Sequence, residues 1–387
     1  MASRVLPWAI VAGATIATIS VAVFFRPQLA AGDTGARAPK PEEIVYHRKT
    51  ALAPVVARDR EGRVSREEAV AAADRYMRAF RTDQDPRHLG RAQAVLAPWW
   101  NDPKPPTDVL LLRGTLLQTS HDFSRALEDL RQVVEREPDN AQAWIVRATV
   151  ETVIADYESA RQSCAHVTLP LVNAVCIANV DAVTGHAREA ISRIKAQLPT
   201  AHPTQLGWAL SCLAEAEVQA GEFALARQHF QATLEREPDD VYTRGAYLDV
   251  LLAEHEDDKA MAVSETSKTV DAIALRRAIA ATRLAHKDAP AIAKELRDRF
   301  DASHLRGDSL HEREEARFRL DVDHDAPRAA ALAKHDVTVQ REPADLRILA
   351  QASCAAKDAA GRATARDFVK QTGLEDPYVR RALEACP

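Results

Sequence analysis

Apolar positions along most of this chain recur with the three-to-four-residue spacing of a single helix face. The first clear run is Ala69, Val70, Ala73, Tyr76, Met77 and Phe80. Ser65 and Glu68 precede it at the spacing of a capping box, which satisfies the free amides of a helix start. Asp85-Pro86 predicts a second start, with proline at the first helical position, and Pro98 a stop. Further on, an aromatic stands three residues before a small residue at Phe123/Ala126, Tyr157/Ala160 and Phe223/Ala226. Followed along the chain, the small position reads Ala126, Ala160, Ala190, Ala226, Ala260, Ala293, Ala330 and Ala363, in steps of 34, 30, 36, 34, 33, 37 and 33 residues. Twelve positions before most of these stands another small or apolar residue: Gly114, Ala148, Ala178, Ala214, Ala281 and Phe318. Two helices that cross closely need small side chains at the crossing, so the pairing has a steric cause. Three similar phrases, Glu135-Arg136-Glu137-Pro138-Asp139, Glu235-Arg236-Glu237-Pro238-Asp239 and Gln340-Arg341-Glu342-Pro343-Ala344, each close an amphipathic stretch. Such a period predicts stacked helix pairs, none of which has a core until its neighbours are in place.

These units resemble the tetratricopeptide repeat, whose pattern sets Trp, Leu, Gly or Ala, Tyr, Ala, Phe and Pro at fixed points in about 34 residues. The fullest match runs from Gly207 to Asp240 and supplies Leu210, Leu213, Ala214, Gly221, Phe223, Ala226, Phe230 and Pro238. Trp144 fills the Trp position of the unit starting at Ala141, and from Val241 onward the match holds only at the small positions. The resemblance covers residues 107–374 and implies an all-α fold, an α-solenoid of antiparallel helix pairs. It also implies that the first helix of each pair lines a concave groove, its second, fifth, ninth and twelfth positions pointing inward. On this chain those positions give Gln142, Ile145 and Thr149, Val175 and Asn179, Trp208, Ser211 and Glu215, and Tyr242 and Asp249. An exposed Trp208 and Tyr242 would anchor an extended partner segment, with Glu215 and Asp249 favouring a basic one. Packing of Trp208 into the core is the competing reading. Asn179 lacks the Lys and Arg neighbours of the family's carboxylate-clamp form.

Composition fits a helical array. Ala, Leu, Arg and Glu dominate, aromatics are 5%, and only 13 glycines occur in 387 residues. The helix pair at 65–106 is an atypical first unit, and Asp376-Pro377 opens a last helix within 375–387 that covers the exposed face of the final repeat. A net charge of −5 leaves no basic stripe to neutralise phosphates, so no nucleic-acid partner is expected.

Val5 to Phe25 is 21 residues without a charge, between Arg4 and Arg26. As a helix it is about 31 Å long, enough to span a bilayer core. The run is long for a signal peptide, and Leu29-Ala30-Ala31 is a weak cleavage site, so residues 1–25 read as an N-terminal transmembrane signal-anchor. A cleaved signal peptide is the alternative. Residues 26–64, with Pro27, Pro39, Pro41 and Pro54 and mixed charges, read as a flexible tether. The expected placement is a single pass through a bacterial inner membrane with the repeats in the periplasm, or a periplasmic protein after cleavage.

Five cysteines occur without any Cys-x-x-Cys spacing, which disfavours a zinc site. Cys164 falls late in one pair and Cys176 early in the next; Cys354 and Cys386 likewise fall on adjacent helices. In an oxidising compartment these are candidate disulfides, with Cys212 left over; all five as buried apolar residues is the other reading.

No His-Glu-x-x-His, Gly-x-Ser-x-Gly or phosphate-cradling glycine loop occurs, and the expectation is no catalytic residue, metal or cofactor. The densest polar run is Arg306 to Arg317. Ser309 and Glu312 suit a capping box there, Asp308 a helix N-terminus, and Glu314 with Arg317 an ion pair. Alternatively Arg313 and Arg317, one turn apart, face the groove and hold an anionic partner group. Asp323-His324-Asp325 suggests either a metal site or an inter-helix loop. The reading that follows is a non-enzymatic, membrane-tethered scaffold binding a protein or peptide of the cell envelope. The alternative is a periplasmic small-ligand or metal-handling accessory protein using His311 and His324.

Overall fold

The computed structural model describes residues 65–305 and 312–386. The segments 1–25 and 26–64 lie outside the described residues, as do Asp308, Ser309 and His311. Among the described residues no helix is long and apolar enough to cross a membrane.

Twenty α-helices follow one another, with no strand among the described residues. They are α1 (Arg66–Asp83), α2 (Arg87–Val95), α3 (Ala97–Trp100), α4 (Thr107–Thr119), α5 (Phe123–Arg136), α6 (Ala141–Val153), α7 (Tyr157–Ala165), α8 (Pro170–Ala182), α9 (Ala187–Gln197), α10 (Pro203–Gln219) and α11 (Phe223–Arg236). After them come α12 (Val241–Ala253), α13 (Asp257–Ser264), α14 (Asp271–Arg283), α15 (Ala289–Leu305), α16 (Glu312–Asp321), α17 (Ala326–Val339), α18 (Pro343–Ala355), α19 (Ala359–Thr372) and α20 (Pro377–Glu384). Consecutive helices joined by short turns pack against one another, so the chain is a run of antiparallel pairs.

The ladder of small residues is the crossing line of those pairs. Ala126, Ala160, Ala190, Ala226 and Ala260 are fully buried, as are Ala178 and Ala214, the partners of Ala190 and Ala226, and Ala281, the partner of Ala293. A Cβ added to Gly114 would stand 3.1 Å from Leu130, which is why glycine sits there. The last unit departs from the expected register: Ala363 is exposed, and the close approach of the two helices is between buried Gly361 and Ser353, where an added Cβ would collide with the serine side chain.

The turn inside each pair repeats too. One residue takes a left-handed backbone at His121, Ala155, Gly185, Gly221, His255, Ala285, His324 and Lys357. Only two of these are glycine, so most of these turns accept a backbone cost that packing must offset. An acid usually follows and caps the second helix: Asp122, Asp156 and Asp325 accept the amides of Arg125, Ser159 and Arg328. At the first helix the expected capping box is absent, since Ser65 donates to Glu67 and makes no cap bond.

The array is not an open ladder. Its C-terminal end returns onto the face presented by the middle pairs. The amide of Arg341 donates to the carbonyl of Val153 at 2.8 Å. Tyr378 of α20 stacks on Phe223 with centroids 5.0 Å apart, and Arg317 of α16 pairs with Asp249 of α12. Gly185 and Gly373 meet so closely that a Cβ on Gly185 would lie 2.6 Å from the Gly373 carbonyl oxygen.

Candidate functional site: the concave face

First helices α6, α8, α10 and α12 converge on one cavity of about 120 Å³, closed on the far side by the start of α18. Asn179, Glu215, Tyr242 and Asp249 all line it, each from an expected inward position. Thr152, Tyr157, Gln219, Arg341, Glu342 and Arg347 complete the wall.

The rest of the expected groove belongs to the packing. Trp208 is only 3% exposed and joins the apolar core with Leu171, Val175 and Leu210, so the expected Trp208–Tyr242 pair of exposed rings does not form. Ile145 is buried, and Thr149 is buried with its hydroxyl donating to the Ile145 carbonyl at 3.0 Å. Ser211 shares a 2.9 Å hydrogen bond with Thr243 of the next first helix. Gln142 is half-buried and away from the cavity wall. The physical reason is the closeness of successive first helices. Side chains at the second and fifth positions are mostly consumed between neighbours, leaving the ninth positions Asn179, Glu215 and Asp249, the twelfth positions Thr152, Ala182 and Val218, and Tyr242 facing the cavity. Tyr157, which sits on a second helix, takes the place expected of Trp208.

Charge in and around the cavity is mostly paired. Arg276 holds Asp249 through two bonds of 2.9 and 2.6 Å, and Arg317 adds a third contact. Burial alone would raise the Asp249 pKa, but the two guanidinium groups more than offset it and hold the carboxyl well below the usual range. Arg347 is bound to Asp376 at 2.5 Å. Arg313 is buried and contacts Glu314, Glu342 and Asp345 at 3.1, 3.2 and 2.8 Å. The expectation that Arg313 and Arg317 hold a partner's anion is therefore corrected: both are saturated by carboxylates of this chain. Nor does Glu314 pair with Arg317 as expected; Arg317 turns to Asp249 and Asp321.

Glu215 is the exception. Its partner in the cavity is the Tyr242 hydroxyl, which donates to it. Burial pushes its carboxyl up to about 7, with Asp240 adding to the rise and Arg347 opposing it. Glu342 is likewise pushed well up by burial and by Asp345, against the pull of Arg313. Behind the wall, Asp336 is raised by burial and by Asp345, and Gln340 donates to both at 3.2 Å.

The metal reading of residues 323–325 gives way to the turn. Asp323 pairs with Arg297 and Arg319, His324 is the left-handed residue that every pair carries, and Asp325 caps α17. Both cysteine pairs are brought side by side, with Cα separations of 5.6 Å for Cys164–Cys176 and 5.7 Å for Cys354–Cys386, within the range a disulfide spans. Cys212 is buried outside them.

Among the described residues, nine antiparallel pairs, small residues at most crossings and a left-handed turn within each pair define the architecture. This is a tetratricopeptide-repeat-like solenoid. No protein-family model matches the chain, and no curated protein matches it. Solved structures do resemble it. A thermophilic tetratricopeptide-repeat protein of Thermus thermophilus aligns at 18% identity and TM-score 0.40, over 49% of this chain and all of its own. The human IFIT1 dimer with PPP-AAAA aligns at 14% and 0.44, over 82% of this chain and 85% of that one. Cut9 in the APC/C Cut9–Hcn1 hetero-tetramer aligns at 14% and 0.46, over 80% of this chain and 56% of that one. At these values the likenesses say nothing of ligand or activity.

Proposed function

We propose that this protein is a non-enzymatic scaffold, tethered to a bacterial inner membrane by residues 1–25, whose repeats work in the periplasm. Its concave face receives an extended segment of a cell-envelope protein. The observation that carries this reading is the cavity where Asn179, Glu215 and Tyr242 from three successive first helices meet one another. A surface assembled from equivalent positions of neighbouring repeats suits a ligand that runs along the array. The paired cysteines support an oxidising compartment, where such bonds persist.

The test is a photo-crosslinking residue placed at Gln219 in the cavity wall and, separately, at exposed Glu128 on α5. Specific adducts from Gln219 and none from Glu128 are expected. Equal adducts at both would remove the concave face from consideration. A phosphatase reporter fused after residue 64 checks the compartment, since it is active only when exported.

A further inference from the structure

The cavity on the concave face is chemically lopsided. Asp249 answers Arg276 and Arg317, Arg347 answers Asp376, and Glu342 answers Arg313. Glu215 forms no ion pair; its neighbours are the Tyr242 hydroxyl, the carboxylates of Asp240 and Glu342, and, at longer range, the Arg347 guanidinium that Asp376 already holds. Around it stand the rings of Tyr157 and Tyr242 and the amide of Asn179, which is 6% exposed. A carboxylate between aromatic walls, in a half-enclosed space of about 120 Å³, matches a single ammonium or guanidinium head on an aliphatic stem.

We propose that this cavity takes one basic side chain, a lysine or arginine of an extended partner segment, with Glu215 as its counter-ion and Tyr157 and Tyr242 as its walls. The inference rests on the scaffold reading and specifies what the concave face selects. It also gives the charge arrangement around Glu215 a use. Glu215 and Glu342 disfavour each other's ionised forms, so an arriving cation relieves a repulsion as well as forming a contact. Its arrival at Glu215 displaces a proton, and binding therefore strengthens as pH rises through about 7.

The experiment is calorimetric titration of the full chain with acetyl-Gly-Lys-Gly-amide, its arginine counterpart, its Nε-acetyl-lysine counterpart, and 1,5-diaminopentane. The charged peptides should bind, and the neutral acetyl-lysine peptide should bind at least about tenfold more weakly. Glu215→Gln should lose a similar factor and flatten the rise in affinity between pH 6 and 8. Should that variant melt early, Glu215→Asp, which keeps the charge and shortens its reach, gives an intermediate loss. Equal binding of charged and neutral peptides overturns the proposal, as does unchanged binding in Glu215→Gln. Tighter binding of the diamine than of either peptide overturns the peptide source. None of these results touches the crosslinking pattern at Gln219, so the scaffold reading stands or falls separately.

Discussion

The corner at Glu235–Asp239 and the corner at Gln340–Ala344 are near-copies in sequence and opposites in use. In the first, Glu237 closes α11 by donating to the Thr233 carbonyl, and Asp240 then caps α12 through the Thr243 amide. Arg244 donates to the Pro238 carbonyl at 2.5 Å. These bonds stay within the corner, although Asp240 also lies near Arg81 of α1. In the second, Gln340 leaves α17 in an extended conformation and α18 begins at Pro343 itself. The two acids that follow the proline in the first copy, Asp239 and Asp240, give way to Ala344 and Asp345. Asp345 accepts the Glu342 amide at 2.7 Å and turns its other oxygen to Arg313, freeing the Arg341 amide for Val153 across the molecule. The residues after a proline thus decide whether a helix corner is a hinge between neighbours or a clasp between distant pairs.

Breaking the clasp is expected to cost most. Arg313→Leu leaves Glu314, Glu342 and Asp345 buried without their cation and should destabilise by about 3–5 kcal/mol, read from denaturant unfolding. Gly185→Ala attacks the same closure from its other rim. A side chain there is strained by a φ of +81° and would lie 2.6 Å from Gly373, for about 2–3 kcal/mol. A melt like that of the parent would mean the ends do not meet.

The pattern of small residues made the helix pairs legible, because close crossing is a steric demand that composition cannot disguise. The turns were legible in principle: Asp122, Asp156, Glu222, Glu256, Asp325 and Asp358 recur just ahead of second helices. They were missed because the left-handed residue before them is usually not glycine. The concave face was legible only in part. Glu215, Tyr242, Asp249 and Asn179 reach the cavity, but burial of Trp208 follows from how closely first helices approach, which no single repeat encodes. Closure was invisible, since the partner of the Arg341 amide is a main-chain carbonyl that any residue carries.

A smaller effect separates the corners by pH. Asp336 and Glu342 sit behind the clasp with pKa values raised by burial, so the folded form holds protons that the unfolded chain releases. Their contribution is present at acid pH and lost as pH rises; Asp249, held low, contributes the reverse only well below neutrality. Stability should therefore fall as pH rises from 5 to 8, and Asp336→Asn should flatten that slope. The smallest expectation is the control. Arg236→Ala, at the exposed local corner, should change stability by less than about 0.5 kcal/mol.

The contact between Gly185 and Gly373 changes what kind of polymer this is. An open stack of repeats behaves like a one-dimensional chain of coupled spins, in which end units fray and unfolding spreads inward one neighbour at a time. Joining the last units to the middle ones converts that line into a loop with few loose ends, so the C-terminal pairs should not fray ahead of the rest. Amide exchange through α18 and α19 should then report the same opening free energy as α8 and α10, and a single cooperative transition should replace the staggered melting of an open array.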